Sequence, residues 1–294
     1  MFTGAITALV TPFKDGRVDE KTFKGLVDSQ IEKGISGLVP CGTTGESATL
    51  DYNEHNRVIE LTIEASSGRV PVIAGTGSNS TAETVMLTKH AEKAGADAAL
   101  LITPYYNKPS QEGLYEHYRR VSEEVDIPIV LYNVPSRTSV NMSAETVARL
   151  SEFKNIVAVK EATGDLSQIS KIIEFSVEGF SVISGDDFTT LPILAVGGKG
   201  VISVTSNIVP GDVSSMVERF FSGDIDGARE LHYRLQVLNR AMFVDTNPVP
   251  VKTALALMGI IDEEFRLPLV KISATNRTKV INALEAYGLG VQRG

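Results

Sequence analysis

The sequence predicts a (β/α)8 barrel, the TIM barrel, carrying a C-terminal helical appendage, and three observations support it. Short apolar runs bounded by Gly, Pro, Asn or Asp recur eight times between residues 4 and 207. Each run is near-continuously apolar rather than alternating, which indicates strands covered on both faces in a parallel sheet. The stretches between them are long enough for helices, several with start and stop signals. That alternation places the chain in the α/β class, and eight repeats point to a closed barrel. A doubly wound open sheet shares the period and stays open as the alternative at this level.

The eight strand runs, in order, are GAITALV (4–10), SGLVPCG (36–42), VPVIAGTG (70–77), DAALLITP (97–104), IPIVLYNVP (127–135), NIVAVKEA (155–162), FSVISGDD (180–187) and KGVISVTSN (199–207). Among the helices, residues 19–34 open on Asp19 and close at Gly34. Residues 80–95 take Thr81 as N-cap and end at Gly95. Residues 143–153 start at Ser143, with Thr146 three positions on, so a full capping box is missing. Asp or Ser at a start satisfies orphan amides, and Gly at an end permits left-handed closure. Strand signals cease near Gly223, and residues 224–243, 248–259 and 273–288 read as helices. The expected division is a barrel carrying the active site over 1–222 and a C-terminal helical region over 223–294.

Bulk properties narrow the function. With 294 residues, 43% hydrophobic and 22% charged, the composition is that of an ordinary globular protein with room for a large core. Lys+Arg of 28 against Asp+Glu of 36 leaves a net charge of −8. An acidic chain without a basic run speaks against nucleic-acid and membrane-surface binding. Cys41 is the single cysteine, so no internal disulfide forms, and a reducing compartment suits the chain. The N-terminal MFTGAITALVTPFKDG has no positive leader, and its apolar run stops at Pro12. It therefore reads as neither signal peptide nor membrane span, and the expected location is cytoplasmic.

Parallel barrels place their chemistry at the C-terminal ends of the strands. Here those ends read GTTGES (42–47), PYYNKP (104–109), YNVPSRT (132–138), Lys160, SGDD (184–187) and SVTSN (203–207). Taken singly, each has a plain structural reading. A strand-end lysine is commonly solvated, a lone tyrosine such as Tyr132 packs in a core, and the glycines and acids can serve turns and caps. Together, hydroxyls, tyrosines, one arginine and one lysine converge on a single rim, whereas unrelated decoys would scatter between both ends.

Lys160 closes an apolar strand, and a neutral amine there could add to a keto group and form an imine, an electron sink for carbanion chemistry. A free lysine titrates near ~10.4, so neutrality at pH 7 needs burial or a nearby charge, a change worth roughly 4 kcal/mol between protonation states. Strand alternation puts the adjacent Glu161 on the opposite side from Lys160. Tyrosine and threonine hydroxyls at the same rim could carry the protons.

Other chemistries fit less well. His55, His90, His117 and His232 are dispersed, with neither HxH nor HExxH spacing. GTGSNS (75–80) has Ser80 where a dinucleotide fingerprint needs Gly or Ala, and GGKG (197–200) precedes a strand instead of opening a helix. Cys41 suits a small buried position. No metal and no cofactor is expected.

The motifs GTTGES, TPYYNKPSQEGLY, YNVPSRT, VKEATGD, SGDD and GVISVTSN together resemble the dihydrodipicolinate (4-hydroxy-tetrahydrodipicolinate) synthase family, within the N-acetylneuraminate lyase superfamily of class I aldolases. The resemblance runs from MFTGAITALVTPF to NPVPVKTAL and FRLPLV, essentially the whole chain. It implies a Schiff base between Lys160 and pyruvate, with Tyr132 as main proton donor and acceptor and Thr43 and Tyr106 completing the relay. It implies that Thr44 holds the pyruvate carboxylate, that Ile202 contacts pyruvate through its backbone, and that Arg137 binds the carboxylate of L-aspartate 4-semialdehyde. Tyr106 would enter a neighbouring subunit, so the expected assembly is a homotetramer built from tight dimers. Feedback inhibition by lysine is also implied, at Ser47, Ala48, His55, Asn79, Glu83 and Tyr105, with Tyr52 standing where sensitive relatives often have histidine.

Arg137 favours the synthase over the sialic-acid lyases, which with the keto-deoxy sugar acid aldolases are the other pyruvate-dependent aldolases of the superfamily, because a guanidinium suits a carboxylate that a sugar-aldehyde acceptor does not require there. Those aldolases, and a non-catalytic keto-acid-binding barrel, are the alternatives the sequence leaves open.

Overall fold

The computed structural model describes residues 2–292; residues 1, 293 and 294 of the expected domain ranges lie outside them. All eight expected strands form: β1 (Gly4–Ala8), β2 (Gly37–Val39), β3 (Ile73–Gly75) and β4 (Ala98–Ile102) in the first half. The second half supplies β5 (Ile129–Asn133), β6 (Ile156–Glu161), β7 (Ser181–Ser184) and β8 (Gly200–Ser203). They pair in parallel in the order β2-β1-β8-β7-β6-β5-β4-β3. A parallel bridge between Leu38 and Val72 joins the two ends of that order and closes the barrel. Closure removes both sheet edges and excludes the open-sheet alternative.

Each strand is followed by a helix on the outside: α1 (Glu20–Glu32), α2 (Tyr52–Ser66), α3 (Thr81–Ala94) and α4 (Gln111–Glu124). The ring continues with α5 (Ala144–Ser151), α6 (Leu166–Phe175), α7 (Thr190–Ala195) and α8 (Pro210–Ser222). Asp19 caps α1 by accepting from the Thr22 N–H, and Ser143 caps α5 through Thr146. The cap of α3 differs from expectation. Ser80 accepts from the Glu83 N–H, and Thr81 is already the first helical residue. Both have hydroxyls, so the tripeptide STA allowed either register, and only the backbone path selects one.

A short hairpin outside the eight strand runs pairs Phe13–Lys14 with Arg17–Val18. Asp15 (φ +51°) and Gly16 (φ +77°) form its turn, the Asp-Gly pair that two-residue hairpins favour.

Three further helices, α9 (Ile225–Met242), α10 (Val249–Leu257) and α11 (Ala274–Tyr287), follow the barrel. One apolar cluster contains Phe23, Leu38 and Val213 of the barrel together with Leu235, Leu255 and Leu284 of these helices. The appendage is thus packed into the same core, which lets its residues reach the barrel mouth. Among the described residues no helix is long and apolar enough to cross a membrane.

The barrel interior is filled by Ile6, Val39, Ile73, Leu100, Val130, Ala158, Ile183 and Ile202. Ile129, Leu131, Ile156 and Val159 instead pack outward against the helices. The β5–β6 register shifts between Ile129 and Val130, whose partners are Ile156 and Ala158. Val157 is the extra residue of this bulge, and both Val157 and Ala158 pack against the interior cluster. Without it, strict alternation from outward-facing Ile156 would turn Lys160 outward and Glu161 inward. The bulge reverses that parity ahead of the functional lysine.

On α4, His117 is buried, with Nδ1 2.9 Å from Thr81 Oγ1 and no partner for Nε2. Burial pushes its pKa down from 6.5 to about 4. The unfolded chain therefore takes up this proton before the folded one does. Its stabilising contribution is complete above pH 6.5 and is lost as pH falls toward 4, by about 3 kcal/mol in all. Urea titrations across that window should show His117→Gln with a shallower acid loss than the parent; parallel curves would refute this.

Candidate active site

Lys160 is the penultimate residue of β6 and sits in register with Tyr132 on β5, so the two side chains lie side by side inside the barrel. Lys160 is 7% exposed, and its Nζ is 4.1 Å from the centre of the Tyr132 ring. Room for the lysine stem comes from Gly185, just after β7. A methyl group there would lie 3.1 Å from both Cγ and Cε of Lys160 and 2.8 Å from the Ala162 Cβ. Glycine is needed at this position for space rather than for an unusual backbone angle.

Glu161 points the other way. It is fully buried between barrel and helices, accepting from Asn133 Nδ2 (3.0 Å), the Thr163 N–H (2.9 Å) and Gln168 Nε2 (3.4 Å). Burial holds its pKa above the usual carboxylate range despite those hydrogen bonds.

Thr43 and Thr44 occupy the tight turn Thr43–Gly45 that follows β2. Thr44 is buried, and its Oγ1 accepts from Asn247 Nδ2 at 3.0 Å. Arg137, exposed on the short helical turn Pro135–Thr138 after β5, donates from Nη2 to the backbone carbonyl of Asn247 at 3.2 Å. Asn247 therefore ties together the two expected carboxylate binders. Its segment NPVPVKTAL was legible as a motif, yet nothing local assigns Asn247 a role. Ile202 lies on β8 in the barrel interior. The chain after it is held by Asp187, which accepts from Ser203 Oγ (2.5 Å), the Val204 N–H (2.9 Å) and the Thr205 N–H (3.2 Å). Burial raises the Asp187 pKa. Of the two acids in SGDD, only Asp186 acts as a cap, accepting from the Phe188 N–H.

A cavity of about 400 Å³ opens at this rim. Thr43, Tyr132 and Arg137 of the expected substrate set line it, and so do Ser47, Ala48, His55, Glu83 and Tyr105 of the expected inhibitor set. Thr44, Lys160 and Ile202 are buried and do not line it, and Asn79 is half-buried with its carbonyl accepting from Asn107 Nδ2. Tyr106 does not join the site within its own chain: it is 88% exposed, with φ at +71°. Glu83 accepts from both Ser78 and Tyr52, which hold its carboxyl below the usual range. The hydrogen bond to Glu83 raises the Tyr52 phenol in return. His55 is buried and its pKa depressed by desolvation. Cys41 is buried too, its thiol pushed well above the ordinary range, in keeping with a packing role.

Chemically, a phenol, a threonine turn and an accessible guanidinium line one cavity, and a shielded amine lies against the ring of that phenol. A family model described as the dihydrodipicolinate synthetase family matches residues 1–287. The 4-hydroxy-tetrahydrodipicolinate synthase of Thermodesulfovibrio yellowstonii is 58% identical over 289 residues, spanning 98% of this chain and 99% of its own. A dihydrodipicolinate synthase crystal structure from Aquifex aeolicus superposes with a TM-score of 0.98 at 49% identity, covering 99% of this chain and 100% of that one. A lysine-bound structure of the enzyme from Cyanidioschyzon merolae gives 0.95 at 42% identity, covering 98% and 99%.

Proposed function

Because this chain belongs to the dihydrodipicolinate synthetase family, we propose that it works through an imine between Lys160 and pyruvate. The chain is a lyase, a 4-hydroxy-tetrahydrodipicolinate synthase, condensing pyruvate with L-aspartate 4-semialdehyde in the first committed step of diaminopimelate and lysine biosynthesis. The observation that carries the residue assignment is the Lys160 amine, shielded inside the barrel mouth against the Tyr132 ring.

In this reading the neutral amine adds to the keto carbon of pyruvate, and loss of water leaves the imine. Thr44 and the amides of its turn hold the pyruvate carboxylate, while the backbone of Ile202 contacts the pyruvate. Removal of a methyl proton gives the enamine, whose carbon attacks the aldehyde and forms the new C–C bond. The semialdehyde's amine then adds to the imine carbon, and Lys160 leaves as the ring closes. Tyr132 gives and takes the protons of these steps, with Thr43 and Tyr106 relaying them to solvent. Arg137 holds the carboxylate of the semialdehyde through paired N–H donors. The barrel region proposed over 1–222 carries this chemistry, and the described residues of the C-terminal helical region, 223–292, buttress it.

The outward Tyr106, in a conformation that costs an aromatic residue some strain, supports its insertion into a neighbouring subunit. The assembly proposed is accordingly a homotetramer of tight dimers, located in the cytoplasm. Lysine is the proposed inhibitor, at Ser47, Ala48, His55, Asn79, Glu83 and Tyr105. The lysine-bound relative and the continuity of the cavity between the two residue sets support this.

Arg137→Ala tests the acceptor. Loss of a charged hydrogen-bonded contact should cut kcat/KM for the semialdehyde about 10- to 100-fold, while pyruvate imine trapped by borohydride stays at parental levels. Undiminished kcat/KM, or a sugar-derived aldehyde turned over faster than the semialdehyde by the parent, would defeat the assignment.

A further inference from the structure

Behind the Thr43–Thr44 turn lies a charge pair that the reaction does not use. Glu46 closes that turn: its N–H donates to the Thr43 carbonyl at 3.1 Å, and its own carbonyl accepts from the Thr49 N–H at 3.0 Å. Its φ of +53° is left-handed, which a residue with a side chain keeps only when its surroundings over-determine it. The side chain supplies that constraint. One carboxylate oxygen takes Lys252 Nζ at 2.5 Å, and the other takes the Arg266 backbone N–H at 3.2 Å. The Lys252 and Glu46 side chains are 0% and 1% exposed, and the ammonium lies 4.2 Å from the Phe13 ring centre. Lys252 belongs to α10, so the grip comes from the helical appendage, as does the Asn247 contact to Thr44.

A buried ion pair adds little stability that a well-packed apolar pair could not supply. It does fix position, because a dry carboxylate has one favourable place to sit. We propose that Glu46 and Lys252 are positioning residues for the pyruvate half of the reaction, holding the Thr43–Thr44 turn at its working distance from Lys160. This rests on the roles given above to Thr43, Thr44 and Lys160.

Single substitutions would leave one bare buried charge and report mainly on folding. The informative variants are therefore the doubles Glu46→Met/Lys252→Met and Glu46→Gln/Lys252→Gln, each checked for fold by circular dichroism. In a folded double, KM for pyruvate should rise about ten-fold or more, and the rate of borohydride-trapped imine should fall comparably. KM for the semialdehyde, which reports on Arg137, should stay within about two-fold of the parent. A folded double with both pyruvate parameters unchanged overturns the proposal, and so does an equal rise in both KM values. If neither double folds, the pair sustains the fold rather than the turn, and the proposal fails as well. The parent separates the two levels: no trapping at Lys160 removes the underlying reading, whereas normal trapping with unaffected doubles removes only the role of the pair.

Discussion

Lys160→Met should abolish turnover, with kcat reduced by at least ~10³-fold, or about 4 kcal/mol of barrier. Methionine keeps most of the stem that packs beside Gly185 and Tyr132 but has no nitrogen, so no imine forms. Borohydride with pyruvate should add reduced-pyruvate mass to the parent at Lys160 alone and nothing to the variant. The thermal midpoint should hold or rise, since the replacement removes a largely buried amine that lies against the Tyr132 ring. Turnover near the parental rate, or pyruvate mass on any other lysine, would overturn covalent catalysis at this position. Lys252 is the control within the same chain: fully buried and paired with Glu46, it should never be labelled.

Tyr132→Phe should be the second most damaging change, lowering kcat about 10²- to 10⁴-fold with little effect on KM for pyruvate. Phenylalanine preserves the ring against Lys160 Nζ and the packing in the barrel interior, removing only the hydroxyl. The variant thus separates proton transfer from shape. Imine formation and enamine formation both need protons moved, so single-turnover trapping should slow along with steady-state turnover. An enzyme retaining more than about a third of its kcat would assign proton transfer to another group.

The comparison of Lys160 with Glu161 shows where local reading ends. Alternation alone establishes that these neighbours face opposite sides of the sheet. Which one enters the barrel depends on the β5–β6 bulge at Val157, a feature of pairing between two strands that neither strand encodes by itself. The same holds for Asn247, Glu46 and Lys252. Their partners lie about 200 residues away in the chain, at separations of 203 and 206, so no window of sequence contains both ends of either contact. Ser80 and Thr81 show the lesser limit, a cap placed one residue off where two hydroxyls adjoin.

By itself the sequence determined the alternation of strand and helix, the eightfold count, the rim on which polar groups gather, and the motifs that mark the family. These follow from apolar runs, caps and turn residues, whose energetics are settled within a few neighbours. Tertiary structure alone decided that the barrel closes, that Lys160 rather than Glu161 turns inward, and that the C-terminal helices grip the threonine turn. Those outcomes depend on strand register and on contacts between remote segments, which acquire a geometry only once the chain is packed.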